Sequence, residues 1–147
     1  MKILDTIFST ETKCKEHNCT VSNKNIKKIY KPDNGFLDKS LERELFASDY
    51  KICDCIVVCN GDDIFIVEIM CGKLTTRELR EKKEQLRNCC KVVEKLGIND
   101  NIKKLVLIYD KLESPKRQPS LKKALINQRI CNKPLEFKNS KPITLCC

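Results

Sequence analysis

Two carboxylates sit inside apolar stretches that read as strands: Asp54 in "KICDCIVVC" (51–59) and Glu68 in "IFIVEIM" (64–70). A buried carboxylate without a partner is costly, so such residues are usually paired, metal-bound or neutralised. Two of them side by side repel unless a cation lies between. A hard divalent ion, Mg²⁺ or Mn²⁺, is the natural occupant, held by one or two carboxylates and completed by water and a substrate phosphate. The competing reading puts Glu68 at a sheet edge, in a salt bridge with a nearby lysine. The residues alone leave both open.

Which reading holds depends on the hairpin that carries the acids. Side chains alternate across a strand, so Ile64, Ile66, Glu68 and Met70 share one face, as do Ile52, Asp54, Ile56 and Val58. A three-residue loop, Asn60–Gly61–Asp62, sets Asp54 opposite Glu68 and pairs Ile56 with Ile66 and Val58 with Ile64. A two-residue Asn–Gly turn shifts the register by one and sends the acids to opposite faces.

Around the hairpin, Leu37, Leu41 and Leu45 predict a helix over 37–48. The clearest helix is 75–97, opened by a Thr75/Glu78 capping box, with Leu79, Leu86, Cys90 and Val93 on one face and Gly97 as its stop. "KKLVLIYD" (103–110) reads as a central strand covered on both faces. A proline-containing break follows at 113–120, then a basic helix over 121–130. In the polar first 35 residues, "KPDNG" (31–35) marks a turn, and "NIKKIYK" holds an element whose type is not legible. The expected class is α/β: a mixed sheet with flanking helices, ordered helix, β-hairpin, helix, strand, helix, with a right-handed crossover.

At 147 residues the chain is expected to form one domain over 1–147, with its core at about 36–110 and a basic segment at 111–147. Net charge is +9, and residues 111–147 carry nine Lys/Arg against two Asp/Glu. That asymmetry fits a polyanionic partner, nucleic acid before membrane, although a solvated tail would look the same. Only 5% of residues are aromatic, which disfavours a stacking platform for single strands. No apolar run approaches the roughly 18 residues of a membrane span, and the opening lacks a secretory pattern, so an intracellular, cytoplasmic protein (in the host cell if viral) is expected.

Eleven cysteines are many for such a compartment. Cys53, Cys55, Cys59 and Cys71 read as buried thiols acting as small hydrophobes. "CKEHNC" offers Cys14, His17 and Cys19 to zinc, with Cys146 or Cys147 as a fourth ligand, the basis of a zinc-binding adaptor reading. Disulfides would point to a hyperthermophilic host or a virus of one, against which the many asparagines argue.

The helix acid, the Asp54 and Glu68 strands and the "VEIMCGKLTTRELREKKEQL" stretch (67–86) resemble the PD-(D/E)XK nuclease superfamily, which includes archaeal Holliday-junction resolvases and RecB-type nucleases. The resemblance covers roughly 36–110 and implies a restriction-endonuclease-like core and Mg²⁺-dependent cleavage of DNA. Asp54 and Glu68 match the metal-binding carboxylates. Glu44 matches the helix acid: with Leu41 at 0° it lies at about −60°, bordering the apolar face, and Glu42 at about +100°. Gln85 occupies the place of the helix glutamine that RecB-type members carry. The motif lysine belongs at position 70, which is Met here; Lys73, just past Gly72, is the substitute, or the site is degenerate and the fold serves as a DNA-binding or assembly module. Arg77, Arg80, Lys122, Lys123 and Arg129 would track the phosphate backbone. Resolvase-like members are commonly homodimers.

Overall fold

The structure, a computed structural model, describes residues 1–16, 19–22, 25–112, 121, 123–126, 128–139 and 143–144. The polar N-terminal region carries more regular structure than its composition predicts: α1 (Lys2–Asp5), β1 (Thr10–Glu11), β2 (Cys14–Glu16), β3 (Cys19–Ser22) and β4 (Ile26–Tyr30). The "NIKKIYK" element is therefore a strand. "KPDNG" forms the expected turn, a 3₁₀ turn at Pro32–Asn34 that ends on Gly35 at φ 100°.

α2 (Lys39–Leu45) is shorter than the leucine spacing predicts, because Asp38 caps it, accepting from the Leu41 N–H at 3.0 Å. Leu37 thus precedes the helix and is 58% exposed. β5 (Cys55–Cys59) and β6 (Ile64–Leu74) form the hairpin. Its loop has three residues: the Asp62 N–H donates to the Cys59 carbonyl at 3.0 Å and the Cys59 N–H to the Asp63 carbonyl at 2.9 Å. Gly61 and Asp62 both take positive φ (88° and 68°), which glycine and aspartate tolerate best. The pairs Ile56↔Ile66 and Val58↔Ile64 follow.

α3 (Thr76–Lys95) begins where Thr75 Oγ1 accepts from the Glu78 N–H at 3.0 Å and stops before Gly97, at φ 74°. It buries Leu79, Leu86, Cys90 and Val93, and returns the chain to β7 (Ile102–Leu112), parallel to β6. Residues 121, 123 and 124 are helical, but the expected basic helix over 121–130 does not continue. The chain forms β8 (Arg129–Ile130) instead, turns at Cys131–Asn132, and enters β9 (Lys133–Lys138), parallel to β7 on its other side. Two residues of positive φ make that turn a hairpin, which no helix can absorb. The 113–120 break lies outside the described residues.

The described strands form a seven-stranded mixed sheet, order β1-β4-β5-β6-β7-β9-β8, and a second sheet in which β10 (Ile143–Thr144), β3 and β2 are neighbours. The fold is mixed α/β. Ile56, Ile66, Leu105 and Leu107 face the layer that holds α3, where Leu86 and Val93 meet them. Val57, Phe65, Val67 and Val106 form the opposite core, which Cys14 of β2 joins. Among the described residues no helix is long and apolar enough to cross a membrane.

Candidate active site

Asp54 stands one residue before β5, where the ladder with β6 ends at Cys55↔Val67. Its carboxylate takes the place of the next rung. The Ile69 N–H donates to Asp54 Oδ2 at 2.7 Å, and the Asp54 N–H donates to Glu68 Oε2 at 3.2 Å. This reciprocal latch holds the acids together. Glu68 does not lie at a sheet edge: β6 runs between β5 and β7.

Glu68 is 1% exposed. Burial first, then repulsion from Asp54, pushes its pKa up to about 9, against the pull of Lys82. At neutral pH the two carboxyls therefore share one proton, as close acid pairs do. One net negative charge then faces the Lys82 ammonium, whose Nζ lies 3.2 Å from Glu68 Oε1.

Lys82 was not legible as a site residue from motif spacing, which pointed to Lys73. The structure sets Lys82 against Glu68. β6 does not end at Gly72 but continues through a bulge to Leu74, which is buried, while Lys73 is exposed and pairs in register with Lys111. The signal for Lys82 was present in α3: it falls on the inner stripe of Leu79, Leu86 and Cys89, where a lysine needs an anionic partner.

The acids open onto a cleft of about 370 Å³ that Asp33, Tyr50, Lys51, Lys82 and Gln85 also line. Gln85 Oε1 is buried there without a hydrogen-bond partner among the described residues. Asp33 is an acid the sequence reading passed over as part of a turn; its Oδ1 lies 3.4 Å from Lys31 Nζ. Glu44 is elsewhere, 2.7 Å from Lys95 at the surface. The helical wheel misplaced it because Leu37, one of its three reference leucines, lies outside the helix. Glu42 instead reaches the cleft wall by accepting from the Tyr50 hydroxyl.

Of the residues expected to meet DNA, Arg77 pairs with Glu81 at 3.2 Å. Arg80 joins Lys83 and Arg87 around a hollow of about 210 Å³ on the flank of α3. Lys123 is exposed, Arg129 donates to the Asn132 carbonyl, and Lys122 lies outside the described residues.

The cysteine expectations change most. Cys14 is bonded to Cys55 and Cys53 to Cys89, and Cys59 is also in a disulfide. Buried strand cysteines close to partners on neighbouring elements look like small hydrophobes in the sequence, because pairing depends on a topology it does not display. Cys14 therefore has no thiolate to offer zinc. His17, Cys146 and Cys147 lie outside the described residues, and Cys19 and Cys71 are described in backbone only.

No family model, curated protein or solved structure matches this chain. The donor set itself must say what the cleft can hold. Among the described residues, no three His, Cys, Asp or Glu side chains gather as a metal cage. Two hard carboxylates at the wall of an open cleft nevertheless fit an ion that keeps several waters, as Mg²⁺ does.

Proposed function

We propose that this chain is a divalent-metal-dependent nuclease-like protein of the PD-(D/E)XK type, hydrolysing phosphodiester bonds in DNA. The observation that carries the reading is the latched Asp54–Glu68 pair at the mouth of the cleft, with Lys82 in contact with Glu68. The order α2, β5–β6 hairpin, α3, β7, with β7 parallel to β6, supports a restriction-endonuclease-like core.

Mg²⁺ or Mn²⁺ bound by Asp54 and Glu68 would supply Lewis-acid charge and a water of lowered pKa. The chain's own residues do the rest. Glu68 releases the shared proton when it becomes a ligand. Lys82, freed from balancing the acid pair, turns its ammonium to a phosphate oxygen, the role the sequence reading gave to Lys73. Gln85 can turn its amide to accept from or donate to the substrate or its water. The test is cleavage of duplex, single-stranded and branched DNA in Mg²⁺ or Mn²⁺ against EDTA; no cleavage of any of them rejects the catalytic reading.

A second reading, the same fold acting as a silent DNA-binding module, is favoured by Met70 at the motif position, close to Gly72 at the β6 bulge. Inert wild type together with a Met70→Lys variant that cleaves would select it.

Because the ion must displace a proton from a group whose pKa lies at about 9, Mg²⁺ affinity should rise roughly tenfold per pH unit below that value and level off above it. Calorimetric titration in buffers of different ionisation heat should show release of about one proton per ion. An affinity that ignores pH would separate Glu68 from the ion.

Exposed Arg80 and Arg87 and half-buried Lys83, all on the flank of α3, are the basic surface for the DNA backbone. If each side chain meets one phosphate, replacing all three with Ala should flatten the log–log salt dependence of duplex binding by about 2.7. An unchanged slope would assign the flank to solubility.

A further inference from the structure

A second cavity, of about 500 Å³, adjoins the acid cleft: Tyr50, Lys51 and Gln85 line both. Its volume lies within the roughly 300–1,000 Å³ of small-ligand sites. One wall comes from the end of α2 and the segment that follows it, with Leu45, Phe46 and Tyr50. The other comes from α3, with Glu81, Glu84 and Gln85.

The aromatic wall is fixed in place. The half-buried Phe46 and Tyr50 rings stack with centroids 4.4 Å apart and planes 17° apart, and Phe36 packs against them at 6.0 and 6.2 Å. Phe8 backs Phe36 at 4.7 Å, so four of the chain's eight aromatic residues, five Phe and three Tyr, gather here. Glu42 holds the Tyr50 hydroxyl, and Asn88 Nδ2 donates to the Lys51 carbonyl at 2.7 Å, tying the segment to α3. Low aromatic content disfavours a platform for many bases, but this cluster suffices for one.

Charge decides what enters. Exposed Asp49, Glu81 and Glu84 outnumber Lys51 and Lys91 around the cavity, which disfavours a phosphate there. Gln85 Oε1, on the wall shared with the acid cleft, has no donor among the described residues. A flat ring that carries N–H donors complements this surface.

We propose that the cavity takes one unpaired nucleobase bearing an exocyclic amine, beside the phosphate held at the Asp54–Glu68 pair. The choice of ligand rests on the nuclease reading and adds a substrate class to it: DNA with an unpaired nucleotide next to the scissile bond. The base stacks on the Phe46–Tyr50 wall, and its amine donates to Gln85 once the amide turns to meet it. A paired base must first leave its helix, at a cost that an unpaired one does not bear. Bulges, flaps and single strands are therefore preferred to intact duplex.

The test measures binding in EDTA, where metal-dependent cleavage cannot run, of labelled duplexes alike except for one bulged nucleotide: adenine, unsubstituted purine or an abasic site. Wild type should bind the adenine bulge about tenfold more tightly than the abasic one, the effect of one stacked base. Purine should fall between them, because it stacks but has no amine. Phe46→Leu keeps an apolar side chain of similar size, and should lose most of the adenine–abasic difference while melting well above the assay temperature. Gln85→Leu should bring adenine down to the purine level. Equal wild-type affinity for adenine and abasic bulges would overturn the base site and leave the nuclease reading to its cleavage assay. So would a folded Phe46→Leu variant that keeps the whole difference. Purine bound as tightly as adenine would overturn the amine preference. Failure to bind any duplex would overturn both readings, whereas base-dependent binding without cleavage would uphold the site and remove only the catalysis.

Discussion

Replacing Glu68 with Gln should abolish metal-dependent cleavage, a loss of about 10³-fold or more, equivalent to ~4 kcal/mol of transition-state stabilisation. The fold should survive, because Gln reproduces the protonated acid. Its Oε1 can still accept from the Asp54 N–H, which Glu68 binds at 3.2 Å. The sign of the stability effect follows from the raised pKa. The folded state holds a proton that the unfolded chain releases above its ordinary value of 4.5, so this group destabilises the protein increasingly as pH rises from there to about 9. Metal-free Glu68→Gln should therefore match wild type in acid and exceed it in alkaline solution, as read by thermal melts across pH. Lys82→Ala should keep metal binding and lose about 10–10² in rate, whereas Lys73→Ala should be silent. Undiminished cleavage by Glu68→Gln would remove the acid pair from the chemistry; cleavage lost with Lys73→Ala but kept with Lys82→Ala would return the role to Lys73.

Local rules made the hairpin legible. Apolar alternation favoured one register, and a Gly–Asp pair able to take positive φ supplied the loop that fits it, so Asp54 met Glu68 as the three-residue turn requires. α3 was legible for the same reason: Thr75, the leucine stripe and Gly97 all act within one element. What escaped depends on contacts between distant elements. Lys82 is a surface-type residue until β6 brings an acid beneath it. Asp33 becomes a cleft residue only because its turn packs over the end of β5. Two-residue β8 forms only on the edge that β9 offers, and β9 only on the edge that β7 offers. Glu44 failed for a smaller reason, a helix boundary moved by one cap.

The disulfides on either side of Asp54 should matter to both stability and activity. Cys53 is bonded to Cys89 of α3, seven residues beyond Lys82, and Cys55 to Cys14 of β2. The Cys53–Cys89 bond closes a loop with a sequence separation of 36, which constrains the unfolded chain by about 4 kcal/mol in the chain-entropy account. For a chain of this size, Cys53→Ala/Cys89→Ala should lower Tm by roughly 10–15 °C. It should also cut cleavage at temperatures where the variant is fully folded, because Asp54 then loses its covalent tie to the helix that carries Lys82 and Gln85. A dithiol reductant should reproduce both effects in wild type and add little in the variant. If Tm falls but cleavage per folded molecule holds, the bond serves stability alone, and the reciprocal hydrogen bonds to Ile69 and Glu68 suffice to place Asp54. If neither changes, the two cysteines are reduced in the working protein, and the acid pair is held by the hairpin register without help from either flank.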